Sequence, residues 1–180
     1  LDRLPCLVDA VLQETGLVDL GQGDLDFDAG GLDGRLGHVA DRRVVPVLLA
    51  DARAGVIGAA HAGRVGAAGG VVLRTVEAMV AAGANAPDIS VLLGPAVSGP
   101  NYEVPEQMAA DVEARLPGSR TTTPGGTPGL DLRAGIARQL VGAGITAIDI
   151  DPRCTVEEPA LFSHRRDAPT GRLASLVWME

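Results

Sequence analysis

Apolar and polar positions alternate with clear punctuation from Val44 onward, and that stretch organises the chain. Val44–Ala50 is a short apolar run closed by a turn at Asp51–Gly55, and Val56–Ala60 is a second run of strand length. His61 follows where the second strand is expected to leave the sheet, and Gly63, Gly66, Gly69 and Gly70 read as a glycine-rich loop. A helix with the apolar face Val72, Val76, Met79 and Val80 comes next, and Gly83 is placed to end it in a left-handed conformation. Ala84–Asp88 is a turn, Ile89–Leu93 a buried-type strand, and Gly94–Pro100 a loop stiffened by its prolines.

Val104, Met108, Val112 and Leu116 then recur every fourth residue and predict a helix, with Pro105 suited to its first turn. Pro117–Pro128 is rich in Thr, Gly and Pro and reads as a loop. Asp131 can cap a further helix carrying Ala134, Ile136, Ala137, Leu140 and Val141, stopped by Gly144. Ile145–Ile150 and Leu173–Trp178 are the last two predicted strands. Interleaved strands and helices without a repeat give a single mixed α/β (α+β) domain over residues 44–180. Residues 1–43 read differently. Leu7–Leu12 is a short helix candidate, and Gly21–Gly37 is a Gly- and Asp-rich loop that lacks the ligand spacing of a calcium loop. The chain begins at Leu1 rather than Met, so this part is expected to be an atypical or truncated segment.

Composition narrows the chemistry. Hydrophobic residues make up 46% and aromatic residues 2%, so the core must be aliphatic. All fifteen basic residues are Arg, which excludes a Schiff-base or P-loop lysine. A formal net charge of -8 with few aromatics argues against a nucleic-acid surface. No apolar run approaches a membrane span, and two cysteines, Cys6 and Cys154, are too few for a disulfide scaffold. A cytoplasmic protein without membrane or nucleic-acid partners, monomeric or homodimeric, is the expectation.

Residues with chemical capacity cluster around His61. An imidazole beside backbone N–H groups and a helix start suits an anion or a metal-bound oxygen, and a buried corner histidine is the alternative. Arg165, Arg166 and Arg172 offer guanidinium forks for phosphate oxygens, with a surface ion pair as the alternative for Arg165–Asp167. Tyr102 reads as a helix anchor, Cys154 as a small buried hydrophobe, and Glu103 as a base only if buried near His61.

Four segments in register carry a family resemblance: VPVLLAD with HAGR (Val45–Asp51, His61–Arg64), GPAVSGPNYEV (Gly94–Val104), RCT (Arg153–Thr155) and FSHRRDAPTGR (Phe162–Arg172). Together they resemble the YfiH-type proteins, described as multicopper polyphenol oxidoreductases (laccase-like) and as purine nucleoside phosphorylases. The resemblance implies a layered α–β sandwich with mixed sheets and one zinc or copper site built from His, Cys and His. It implies phosphorolysis of adenosine, inosine and methylthioadenosine, adenosine deamination, and polyphenol oxidation as the older assignment. A purine nucleoside and phosphate are then the small-molecule partners. His61, Arg165 and Arg166 become catalytic candidates, and Arg64, Gly63, Gly66, Tyr102 and Arg172 candidates for substrate and phosphate.

His61 falls on the second metal histidine. The metal cysteine falls on Val44 counting back from Pro46, or on Arg42 counting forward from Asp41, so no thiol stands there. The upstream ligand histidine has no counterpart, and His38 lies in unmatched surroundings. The expectation is a retained fold with metal-dependent chemistry weakened or absent. A degenerate nucleoside- or partner-binding member without turnover is the alternative of a different class.

Overall fold

The computed structural model of the chain describes residues 17–18, 44–171 and 173–178. Its centre is a hairpin. β2 (Val44–Asp51) and β3 (Val56–Gly63) pair antiparallel along their full length, from Val44 opposite Gly63 to Asp51 opposite Val56. Gly55, at φ +69, supplies the left-handed residue of the connecting turn. Asp51 fixes that turn: its carboxylate is buried and accepts the backbone N–H of Arg53 (3.0 Å), Ala54 (3.0 Å) and, from the next loop, Asn85 (2.9 Å). Those bonds, chiefly the one from Asn85, hold the Asp51 carboxyl below the usual carboxylate range.

Among the described residues the main sheet has the order β1-β3-β2-β4-β7, where β1 is Leu17–Val18, β4 Ser90–Leu93 and β7 Ala147–Ile150. β1 and β7 run parallel to their neighbours and the central pairs antiparallel, so the sheet is mixed as expected. Helices α1 (Arg64–Ala68), α2 (Val71–Ala81), α3 (Glu106–Arg115) and α4 (Leu132–Gly142) supply the rest of the architecture, with a small hairpin of β5 (Arg120–Thr122) and β6 (Pro128–Leu130).

The pleat divides the sheet into two faces. Val45, Val47 and Leu49 of β2 and Val91 and Leu93 of β4 enter one aliphatic core with Val72 and Met79 of α2 and Ile136 and Leu140 of α4. α2 crosses β3 so closely that a Cβ at Gly58 would lie 2.7 Å from the Met79 sulfur. The opposite pleat face carries Pro46 and Leu48, whose Cα partners across the hairpin are His61 and Ala59.

Several expectations need correction. β3 runs through Gly63, so His61 lies within the strand rather than at its exit. The glycine-rich stretch is not an open loop: Arg64–Ala68 winds into α1, and Gly70 at φ +79 turns the chain into α2. The closely spaced alanines between these glycines favour a helical turn over extended loop. Val80 is 45% exposed, and the buried position on α2 is instead Thr75, whose hydroxyl donates to the Val71 carbonyl at 3.0 Å. The Thr-, Gly- and Pro-rich segment contains the β5–β6 hairpin, closed at Thr123 and Thr127 by hydroxyls 2.6 Å apart. Residues 173–178 carry no regular secondary structure, so the final predicted strand is absent there.

Other expectations stand. Asp131 caps α4 by accepting the Ala134 N–H at 3.0 Å, and Gly83 and Gly144 adopt positive φ at helix ends. The helix and Asp-rich loop expected in residues 1–16 and 19–43 lie outside the described residues, as do Cys6, His38 and Arg172.

Candidate functional site

The face of the hairpin that carries His61 is covered by the chain's last part, and a cavity of about 150 Å³ remains between them. Pro46, Leu48 and Ala59 form its floor, and Phe162, Ser163 and His164 its wall. Val44 lines it too, at the end where β2 pairs with Gly63. His61 sits next to this floor by register, opposite Pro46, and is partly buried. A slip of one residue in the hairpin would turn His61 into the aliphatic core, so the paired pattern that buries Val45 and Val47 also aims the imidazole.

The wall is built by a turn-rich loop, residues 151–163, and by the short helix α5 (His164–Asp167). The loop is anchored at the sheet end. Ala96 and Cys154 form a parallel bridge, and the Thr155 N–H donates to the Ala96 carbonyl at 3.1 Å. Buried Arg133 of α4 donates to the carbonyls of Asp151 and Arg153, the latter at 3.1 Å. Phe162 packs against Gly171, where a Cβ would stand 2.8 Å from the ring, so only glycine admits this packing. Ser163 is buried, and its carbonyl accepts the N–H groups of Arg166 (3.2 Å) and Asp167 (2.8 Å).

The expected site residues do not all converge. Gly63 stands beside the cavity through its pairing with Val44, and Arg64 and Gly66 follow in α1. Arg165 points elsewhere: its guanidinium lies 5.4 Å from the centroid of the Tyr102 ring, donates to the Glu103 carbonyl at 3.1 Å, and borders a separate open depression of about 450 Å³ with Glu103 and Glu106. Tyr102 is therefore a buried platform, and Glu103 is exposed rather than buried near His61. Arg166 turns back into its own loop, where its donors meet four carbonyls and the Asp167 carboxylate. The ion pair in this motif is thus Arg166–Asp167, at 2.6 Å, and not one made by Arg165.

His164 is the residue that sequence reasoning passed over. It stands in the same FSHRRD segment as the two arginines, and the single-turn geometry of α5 sends it to the cavity while they face away. Adjacent side chains on one turn point about a quarter of a circle apart, but the sequence does not mark which of the three meets the cavity.

Cys154 is buried at 4% exposure and does not line the cavity. Burial pushes its thiol up, but hydrogen bonds from the Ser98 hydroxyl and backbone N–H, with those from Val156 and Glu157, outweigh it and leave the thiol below its ordinary value. Asn101 Nδ2 also donates to this sulfur, at 3.6 Å, and to Glu157 at 2.8 Å. This arrangement makes Cys154 a tie between the Gly94–Asn101 loop and the cavity wall. Among the described residues the side chains around His61 do not form a three-donor metal centre: the register puts the isopropyl group of Val44 on its diagonal, and no three His, Cys, Asp or Glu side chains converge.

Comparison with known proteins agrees with this architecture. The sequence pattern of the family described as multi-copper polyphenol oxidoreductase laccase matches residues 38–180. A purine nucleoside phosphorylase of Mycobacterium tuberculosis is 71% identical over 136 residues, which cover 76% of this chain and 54% of that protein. A purine nucleoside phosphorylase of Corynebacterium glutamicum is 56% identical over 135 residues, covering 75% and 55%. The crystal structure of a Neisseria meningitidis protein superposes with a TM-score of 0.70 at 34% identity, covering 79% of this chain and 60% of that one. This chain thus spans about half the length of the curated relatives it matches. Matched by that pattern over residues 38–180, the chain belongs to the multi-copper polyphenol oxidoreductase laccase family.

Proposed function

We propose that this chain serves the phosphorolysis of purine nucleosides, with adenosine, inosine and methylthioadenosine as substrates, and that the purine ring enters the cavity on the His61 face. The observation that carries this reading is the cavity itself. At about 150 Å³ it has the size that takes one flat aromatic group, so ribose and phosphate must remain at its mouth. Its floor is apolar, and its wall sets the Ser163 and Thr170 hydroxyls and the His164 imidazole around that volume. Apolar faces with a few directed polar groups suit a heterocycle. The name carried by the relatives from Mycobacterium tuberculosis and Corynebacterium glutamicum supports the same reading.

In phosphorolysis a phosphate oxygen forms a bond to the ribose anomeric carbon while the bond from that carbon to the purine nitrogen breaks. The bonding electrons leave with the base, which must gain a proton. His164 is the imidazole lining the cavity and is assigned to hold that proton near the ring. Arg64 and the backbone at Gly63 and Gly66 are assigned to the phosphate, because β3 delivers them beside cavity-lining Val44. Arg172 remains a candidate for the same anion, and His61 for the ribose at the cavity edge.

Deamination and phenol oxidation would both need a metal, and the described residues around His61 do not supply the implied His, Cys and His set. The test is incubation of the purified chain with inosine and phosphate, following hypoxanthine and ribose 1-phosphate in equal amounts. Release that depends on phosphate supports the reading. Stabilisation by inosine without product leaves a nucleoside-binding protein, and the absence of both effects refutes the assignment.

A further inference from the structure

We infer that Arg166 is a positioning residue, a guanidinium clasp that holds the wall of the cavity in the shape that receives the base; this rests on the nucleoside reading above. The motif FSHRRD offers two adjacent arginines, and their surroundings differ sharply. Arg165 lies at the surface over a tyrosine. Arg166 donates through Nη1 to the carbonyls of Thr155 (3.1 Å), Val156 (3.3 Å) and Glu158 (3.0 Å), through Nη2 to Leu161 (2.8 Å), and through Nε to Asp167 (2.6 Å). Such a set leaves little of the guanidinium for a phosphate. It instead closes a ring of chain.

The ring matters because of what hangs between its ends. Thr155 is fixed to the sheet through Ala96, and Arg166 is bonded back to Thr155. Phe162, Ser163 and His164 are suspended between these two points, and together with Thr155 they are wall residues. Without the clasp the four carbonyls lose the guanidinium, Glu158 keeping a second donor in the Leu161 N–H (3.1 Å), and past the Ala96 anchor the Phe162–His164 wall is held chiefly by Phe162 on Gly171 and by the short turn of α5. A planar fork with five N–H groups can serve carbonyls spread around it, whereas an ammonium has three donors on one point. Arg166 is therefore not replaceable by lysine, although charge is kept.

The experiment compares wild type, Arg166→Lys and Arg166→Ala, using adenine as the binding probe and inosine phosphorolysis for KM and kcat. Both variants should bind adenine about tenfold or more weakly, since a displaced wall forfeits the fit of the ring. Ethylguanidinium at millimolar concentration should return Arg166→Ala toward wild type and leave Arg166→Lys unchanged, a rescue that general loss of stability does not produce. The inference is overturned if Arg166→Lys matches wild type, or if either folded variant binds adenine normally. If Arg166→Ala does not fold, Arg166→Lys decides alone.

If wild type itself binds no adenine, the nucleoside reading has failed rather than the clasp. Amide exchange at Arg166 and Asp167, whose N–H groups bond the Ser163 carbonyl, then decides the clasp. Faster exchange in the variants supports it and unchanged exchange refutes it.

Discussion

Replacing Ala59 by Val tests whether the cavity is where the base binds. Ala59 lies on β3 opposite Leu48, partly buried on the floor of a volume of about 150 Å³. The change adds two carbons to that floor. In a fitted apolar pocket one methylene discriminates by about 1–3 kcal/mol, so kcat/KM for inosine should fall by at least about tenfold and adenine affinity with it. The fold should tolerate the change, because a β-branched residue suits a strand and the site faces a void rather than the packed core. The thermal midpoint should stay within about 4 °C of wild type, the shift that roughly 1 kcal/mol produces in a domain of this size.

The cross-strand partner sharpens the test. Leu48→Ala removes carbon from the neighbouring part of the floor, so the double variant should recover part of the affinity lost by Ala59→Val alone. Titration calorimetry with adenine on the four proteins gives the coupling directly. Normal adenine affinity in folded Ala59→Val, or strictly additive losses in the double variant, would refute the cavity as the base site.

Other consequences can be checked separately. Val44→Cys places a thiol diagonal to His61 on the same face, so zinc should raise the melting temperature of the variant more than that of wild type; equal shifts in a thermal titration would contradict the register argument. Gly135→Ala should lower stability by about 1–2 kcal/mol despite better helix propensity, because its Cβ would stand 2.7 Å from Leu116 Cγ and 3.0 Å from Ser119 Cβ, both residues fully buried. Gly142→Ala, in the same helix with nothing within 4 Å, should be neutral or stabilising by up to about 1 kcal/mol, and urea midpoints of the pair should move in opposite directions. Asp51, held below the usual carboxylate range, contributes stability that is present above that range and is lost as pH falls through its lowered value. Asp51→Asn should therefore be less stable than wild type at neutral pH and should flatten the acid limb of the urea midpoint against pH; an unchanged limb would contradict this.

Much of the scaffold could be read from the chain because its signals are local. The apolar run Val44–Ala50, the cap at Asp131 and the stops at Gly83 and Gly144 act within a few residues, and each stands where expected. The misreadings come from longer range. The Thr-, Gly- and Pro-rich composition of Pro117–Pro128 looks like loop until Thr121 packs against Gly99 and Gly129, which lets two short strands close. Leu173–Trp178 has strand composition but no described neighbour that pairs with it, so β-propensity alone does not make it a strand. The site was legible as a motif and illegible as a geometry. FSHRRD carried no mark telling which of His164, Arg165 and Arg166 faces the sheet, because that depends on where the preceding loop is anchored to Ala96.

The hairpin shows how the fold and a donor at position 44 can be specified independently. Val45 and Val47 specify the register by burial, and that register alone aims His61, Pro46 and position 44 at one side of the sheet. None of this depends on what side chain position 44 carries, since it lies at the strand's open end and is only partly buried. A thiolate there can be exchanged for an isopropyl group without disturbing the pairing that places the imidazole. What the exchange removes is a donor, and what it leaves is an apolar wall to the cavity. Val44 offers no metal donor and gives the cavity an apolar side, the kind of surface that the proposed base site requires.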